Sequence, residues 1–518
     1  MVFASEPARS ENYVPVKIDE GSGLQGQLSS RHIQMIAIAS AIGTGLFIGT
    51  GPVLKNGGPG SLLVAYILIG AAVCLCVLLS CLGEMVVNLP VKGSFTKYAA
   101  RFIDPALGFA LGWQYWFAWT CALPAEMTAS AILMQYWTEK VPVAVLITIF
   151  LVGVACINFL PVRIYGEAEF ISSSIKMISI IGFIILSFVL CAGGGPTHHK
   201  HGTEYWRDPG AFKNGFRGIV SALVSAAFAM GGTELVGIAV GESKTPARTM
   251  PKAVRAIFFR IVVFYILAIF MVTLLVPSND RHLNSKGMTN TSPFVIAIRH
   301  ARIHTLPSIF NAMILICVLS VASSSIYAGS RILVSLSEDG FAPVFLSKTD
   351  KQGRPLWALA ATTLVGTALS YLNVTDSGTV VFGWFASVTG LAMLLVWATL
   401  QLADYELLNT YRVSWYKSKF VFGFGVCLLT VIFQGIVSVW PIPDTDLGPY
   451  DNHFRVKTFF ANYLGIPVFV IMWATWKVFS RSKIVPVDHI DVTTGRRDFD
   501  IIDSEKGRSN WTDFLKRR

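Results

Sequence analysis

Apolar residues in this chain fall into long blocks separated by short polar stretches. A helix needs about 20 apolar residues to cross a bilayer. Twelve blocks approach or exceed that length, at 33–54, 61–87, 106–136, 142–160, 170–192, 218–240, 257–277, 308–337, 356–372, 379–402, 420–440 and 458–480. The ninth is short, and the third and eighth are long enough to tilt or to extend past the membrane. In hydrocarbon every backbone N–H and C=O must find a partner within the spanning structure. The pattern therefore predicts an all-α polytopic membrane protein of twelve transmembrane helices, which puts both termini on one side.

Two blocks contain breaks. The first carries Ile42-Gly43-Thr44-Gly45-Leu46-Phe47-Ile48-Gly49-Thr50-Gly51, and the sixth carries Ala229-Met230-Gly231-Gly232-Thr233-Glu234. Glycine costs about 1 kcal/mol relative to alanine inside a helix. Unwound backbone at membrane depth is tolerated only where protein or a watery cavity covers it. If blocks 1–5 and 6–10 are two repeats, the breaks correspond, and such pairs mark substrate sites in secondary transporters. Half-helix N-termini suit a carboxylate and free carbonyls suit an ammonium group, so an α-amino acid uses both. The competing reading is that the glycines only let helices pack closely.

Composition agrees with membrane insertion. Of 518 residues, 53% are hydrophobic and 14% charged, with a mean hydropathy of +0.57. Soluble domains carry about 25% charge. The net charge of +11 is spread through loops and tails rather than gathered on one face, which argues against nucleic-acid binding. Basic residues are more numerous in the tails and in the loops on their side, which predicts cytoplasmic termini. Residues 1–30 read as a polar, disordered cytoplasmic tail without the apolar core of a cleaved signal peptide. Residues 31–481 read as the transmembrane domain and 482–518 as a charged cytoplasmic tail. The eight cysteines all lie in apolar segments, without disulfide or zinc-site spacing.

Ionisable residues inside apolar blocks are costly and often functional. Lys176 is a candidate proton carrier or a lysine reaching back to the interface. Glu126 lies deeper, as a functional or a structurally paired carboxylate. Glu234 follows the second break and either stabilises the unwound segment or faces the site. Ser323-Ser324-Ser325 read as packing serines or an ion site. The spacing Gly43-x-Gly45-x-x-x-Gly49 lacks the strand, helix and acidic residue of a dinucleotide loop. His198-His199-Lys200-His201 reads as a solvated external loop lacking further metal ligands. No nucleophile–base set, paired-carboxylate site or phosphate loop is visible, so the reading is not an enzyme.

At the level of motifs the chain resembles fungal amino-acid permeases of the amino acid–polyamine–organocation superfamily. The resemblance rests on Arg31 to Ile38 followed by Ile42 to Gly51, on Gly83-Glu84-Met85, on Tyr98 to Pro105 and on Leu123-Pro124-Ala125-Glu126. It continues through Tyr205 to Phe212, Gly232 to Gly237, Pro251 to Ile261, Ile326 to Arg331 and Asp491 to Arg496. Gln401 to Arg412 departs from the family's pattern. The resemblance implies a five-plus-five inverted repeat with two added C-terminal helices, and proton-driven amino-acid uptake without a cofactor. It implies that the amides of Thr44 and Gly45 hold the substrate carboxylate and that carbonyls around Ala41, Ile42, Phe228 and Gly231 hold the amino group. Phe228 would act as an aromatic gate, Lys176 would substitute for a sodium ion, and Glu126 would sit at the substrate. With the neighbouring Gly43, Gly232 and Thr233 these are the expected substrate contacts, and Lys176, Glu126 and Glu234 the expected proton-coupling residues. The plasma membrane is the expected location, with trafficking or ubiquitin machinery as partners of the tails. The alternatives are a permease-like sensor or a transporter of a related amine.

Overall fold

A computed structural model describes residues 42–74, 96–138, 140–236, 246–283, 292–374, 378–410, 417–440, 456–487 and 490–491, together with Met35 and Met85. Ala41, residues 1–30, residues 411–416 and all but the start of the 482–518 tail lie outside the described residues. All regular structure among the described residues is helical.

The first apolar block is divided. Ile42 and Gly43 are non-helical, α1 (Thr44–Phe47) is one turn, and α2 (Thr50–Ala72) follows. α2 bends sharply at Gly58, where φ 80° and ψ 172° favour glycine. Pro59 then begins its second limb, so the expected turn between the first two blocks is a kink without a loop. Next come α3 (Thr96–Phe102) and α4 (Pro105–Met134). Asp104 caps α4 by accepting the Ala106 N–H at 3.0 Å, and Pro105 fills the first helical position. α5 (Val143–Phe159) and α6 (Val162–Cys191) finish the first half.

The second half opens with a short turn, α7 (Glu204–Arg207), and α8 (Gly215–Met230), which ends at the second break. α9 (Pro246–Phe259) continues through a π-helical stretch, Arg260–Leu267, into α10 (Ala268–Leu275). α11 (Pro293–His300), α12 (Leu306–Glu338), α13 (Leu356–Ser370) and α14 (Gly378–Thr410) follow. α15 (Lys417–Val439), α16 (Val456–Tyr463) and α17 (Gly465–Ser480) close the chain. Among the described residues seven helical segments are long and apolar enough to cross a membrane, and α5, α8, α13 and α17 are shorter apolar helices.

Burial orders the bundle. α4 is central, with 89% of its most apolar window buried, whereas α15 has 28% buried. α4 packs against α12, α14, α13 and α17. α6 turns Glu169, Ser173, Lys176 and Ile180 inward, a stripe at helical spacing. Its opposite side exposes Ile178, Ile185 and Phe188, as a lipid-facing surface does. The end of α17 and the segment after it dock on α3 and the start of α4. Lys477 pairs with Asp104, Val485 N–H donates to the Ile103 carbonyl at 2.8 Å, and Arg101 Nε donates to the Asp491 carbonyl at 2.8 Å.

Candidate substrate site between two broken helices

The two breaks meet. A Cβ placed on Gly45 would lie 2.4 Å from Ala229 Cα, far inside contact distance. Gly45 is thus required for close approach of the first break to the end of α8, as the close-packing reading of the glycines expects. The second break needs glycine for its backbone. α8 stops at Met230, Gly231 has ψ 144°, and Gly232 has φ 90°, in the left-handed region.

A cavity lies between the breaks. Of the expected contacts, Gly43, Thr44, Gly45, Glu126, Phe228 and Gly231 line it. Thr44 Oγ1 donates to Glu126 Oε1 at 2.7 Å, tying the first break to α4. Glu126 Oε2 is buried and has no hydrogen-bond partner among the described residues. Phe228 packs edge-on against Phe382 of α14, with centroids 5.9 Å apart. The space open to the centre of a water-sized molecule is about 20 Å³, enough for one water.

The other expected residues stand behind this lining. Ile42 is buried beside it. Thr233 donates to the Met230 carbonyl and accepts from Arg260 Nη2 at 2.6 Å. Glu234 Oε1 accepts from Tyr115 Oη at 3.0 Å and from Gly232 N–H at 3.1 Å, and its Oε2 accepts from Trp397 Nε1 at 3.1 Å. Of the two roles read for Glu234, the geometry supplies stabilisation of the unwound segment. Two buried tyrosines hold carbonyls at the breaks. Tyr66 of α2 donates to the Gly45 carbonyl at 3.2 Å, and Tyr265 of the π-helical stretch donates to the Ala229 carbonyl at 2.8 Å. Their rings stack with centroids 6.3 Å apart.

Lys176 is fully buried on α6 rather than reaching to an interface. Its Nζ lies 3.7 Å from Glu169 Oε1, and Glu169 Oε2 accepts from Ser320 Oγ of α12 at 2.7 Å. Glu169 went unread in the sequence because it sits in the polar run Tyr165-Gly166-Glu167-Ala168-Glu169. Its signal was the seven-residue spacing to Lys176, two turns along one helix face. Trp119, Ala122, Val321, Thr389 and Met393 complete the lining and were also missed. They stand in uniformly apolar helices, where nothing in the sequence marks the face toward the cavity. Ser323 and Ser324 are used in packing contacts. Ser323 Oγ accepts from Asn158 at 2.9 Å, and Ser324 lies 3.3 Å from Tyr165 Oη.

Comparison with known proteins agrees with this architecture. The amino acid permease family's sequence profile matches residues 32–488. A probable amino-acid permease, meu22, of Schizosaccharomyces pombe is 40% identical over 93% of this chain and 85% of its own length. The general amino-acid permease GAP2 of Candida albicans is 40% identical over 96% of this chain and 85% of its own. The dicarboxylic amino acid permease of Saccharomyces cerevisiae is 37% identical over 97% and 85%. These relatives are named as transporters, not as enzymes. The chain belongs to the amino acid permease family of the amino acid–polyamine–organocation superfamily, an integral multi-pass membrane protein that transports amino acids.

Proposed function

We propose that the protein imports amino acids together with protons by alternating access at the cavity between the two breaks. The observation that carries this reading is the buried Glu126 Oε2 beside α1, which has no hydrogen-bond partner among the described residues. A buried polar atom without a partner is rare in folded proteins, and a substrate ammonium group would satisfy it. The N–H groups of Thr44 and Gly45 begin α1 and have no partner within the helix, so they suit the substrate carboxylate. The carbonyls around Ala41, Ile42, Phe228 and Gly231 are further candidates for the amino group, and Phe228 for a cover over the bound substrate.

Charge balance supports coupling to protons. A substrate carboxylate seated at Thr44 would share a small buried cavity with Glu126, which already accepts the Thr44 hydroxyl. Two ionised carboxylates at such distance repel strongly where the dielectric is low. A proton entering with the zwitterion removes the surplus negative charge. The Lys176–Glu169 pair is the candidate relay behind it, because both groups are buried and breaking such a pair is costly. In this reading both termini are cytoplasmic and the protein sits in the plasma membrane.

The test is uptake of a labelled amino-acid panel in cells lacking their own permeases, at acidic and neutral outside pH, with and without a protonophore. Faster uptake at acidic pH that collapses with the protonophore is expected. Uptake indifferent to both refutes the coupling, and no uptake at normal surface expression refutes the import reading.

A further inference from the structure

His199, His201 and Glu204 converge where the loop after α6 meets α7. One ligand atom from each of the three side chains lies within 4.8 Å of the other two. His201 Nδ1 is 3.0 Å from Glu204 Oε1, and His199 Nε2 is 3.9 Å from Glu204 Oε2. The two imidazole rings have centroids 4.5 Å apart.

This is the donor set of a divalent transition metal. Two imidazoles and a carboxylate bind zinc at about 2.0–2.2 Å, which sets neighbouring donors about 3.4 Å apart in a tetrahedral site. The three donors already bracket that spacing, so small side-chain rotations close the site. Glu204 is the third ligand that the local run His198-His199-Lys200-His201 lacks. The surroundings favour a cation. The carboxylates of Glu204 and Asp280 both act on Tyr205, which follows Glu204 in the chain. Asp280, although partly buried, is held at about 2 by hydrogen bonds from His300 and His282, so it stays anionic. Lys200 and Arg207 are the adjoining cations. The backbone around the site is fixed. Gly194 N–H donates to the Val189 carbonyl at 2.8 Å, His198 N–H to the Gly195 carbonyl at 2.9 Å, and Trp206 Nε1 to Thr273 Oγ1 of α10 at 3.3 Å. His199 and Glu204 are 54% and 40% exposed at their side chains, which leaves a path from solvent, while His201 is 16% exposed.

We propose that His199, His201 and Glu204 form a binding site for a divalent transition metal of the zinc type, joining the loop after α6 to the turn anchored on α10. The test is calorimetric titration of the full-length purified protein with zinc chloride at pH 7.5, after removal of any polyhistidine tag. Metal takes imidazole in its neutral form, hence the pH. One saturable site is expected in the wild type. H199A, H201A and E204Q should each weaken it by about tenfold or more, while K200A leaves it intact. Three of the changes are in a loop and E204Q is at the first residue of α7, and an unchanged gel-filtration profile verifies that each variant is folded. Absence of saturable binding in the wild type, or equal affinity in the wild type and H199A/H201A, overturns the assignment. The readout is metal binding alone, so it stands apart from the transport assay.

Discussion

Replacing Glu234 with glutamine should loosen the second break without removing any group from the cavity lining. The carboxylate accepts two hydrogen bonds on Oε1, from Tyr115 and Gly232, and one on Oε2, from Trp397. Glutamine offers one acceptor oxygen. If that oxygen keeps the two partners on the Oε1 side, the amide nitrogen faces the Trp397 N–H, donor against donor. A hydrogen bond to a charged group contributes about 1.5–3 kcal/mol, so E234Q should lower the opening free energy of the break by about 2 kcal/mol. That is about a thirtyfold rise in opening. The assay is hydrogen exchange of the peptide over residues 228–236 in the purified protein. Trp397→Phe supplies the internal check. Alone it strips Oε2 of its donor, whereas in the E234Q background it relieves the clash. The two changes should therefore be non-additive by about 1 kcal/mol, as contacting residues are. Unchanged exchange in E234Q, or strict additivity with W397F, would refute the reasoning. E234Q should also keep the pH dependence of uptake. Its loss with unaltered exchange would make Glu234 a proton carrier instead.

Two further substitutions probe the site. Gly45→Ala should cost several kcal/mol, more than the about 1–3 typical of overpacking, because its Cβ would meet backbone at Ala229. Surface biotinylation should find little protein, and normal surface levels would contradict the packing. Thr44→Val removes the donor to Glu126 Oε1 and should cost about 1–3 kcal/mol, read as at least a fivefold loss of substrate affinity, whereas Thr44→Ser restores the hydroxyl and the affinity. Equal affinity in both variants would separate Thr44 from the site.

The breaks were legible because glycine in an apolar block is an expense with few justifications, and Lys176 and Glu126 because charge there is another. Their roles were less so. The sequence could not tell that Gly45 serves packing as well as the site, since that depends on Ala229 arriving from the other half of the chain. Glu234 looked as functional as Glu126, and only its three donors, from α4, α14 and its own loop, separate the two. Arg260 lies inside the seventh apolar block, but the π-helical stretch that it begins leaves no mark in the hydrophobic pattern. Glu204 was invisible as a ligand partner because it belongs to a helix and its histidines to a loop.

The stacked pair of Tyr66 and Tyr265 has a mechanical meaning. Each ring belongs to the helical segment that succeeds a break in the chain, and each hydroxyl grips a carbonyl of the break it follows. The same tether thus occurs once in each half, and the two rings lie side by side with centroids 6.3 Å apart. Gly45 and Ala229, already packed directly on one another, are thus joined a second time through two aromatic side chains. In the alternating-access reading proposed above, the two broken segments would then move together, carrying the seat they form as a unit.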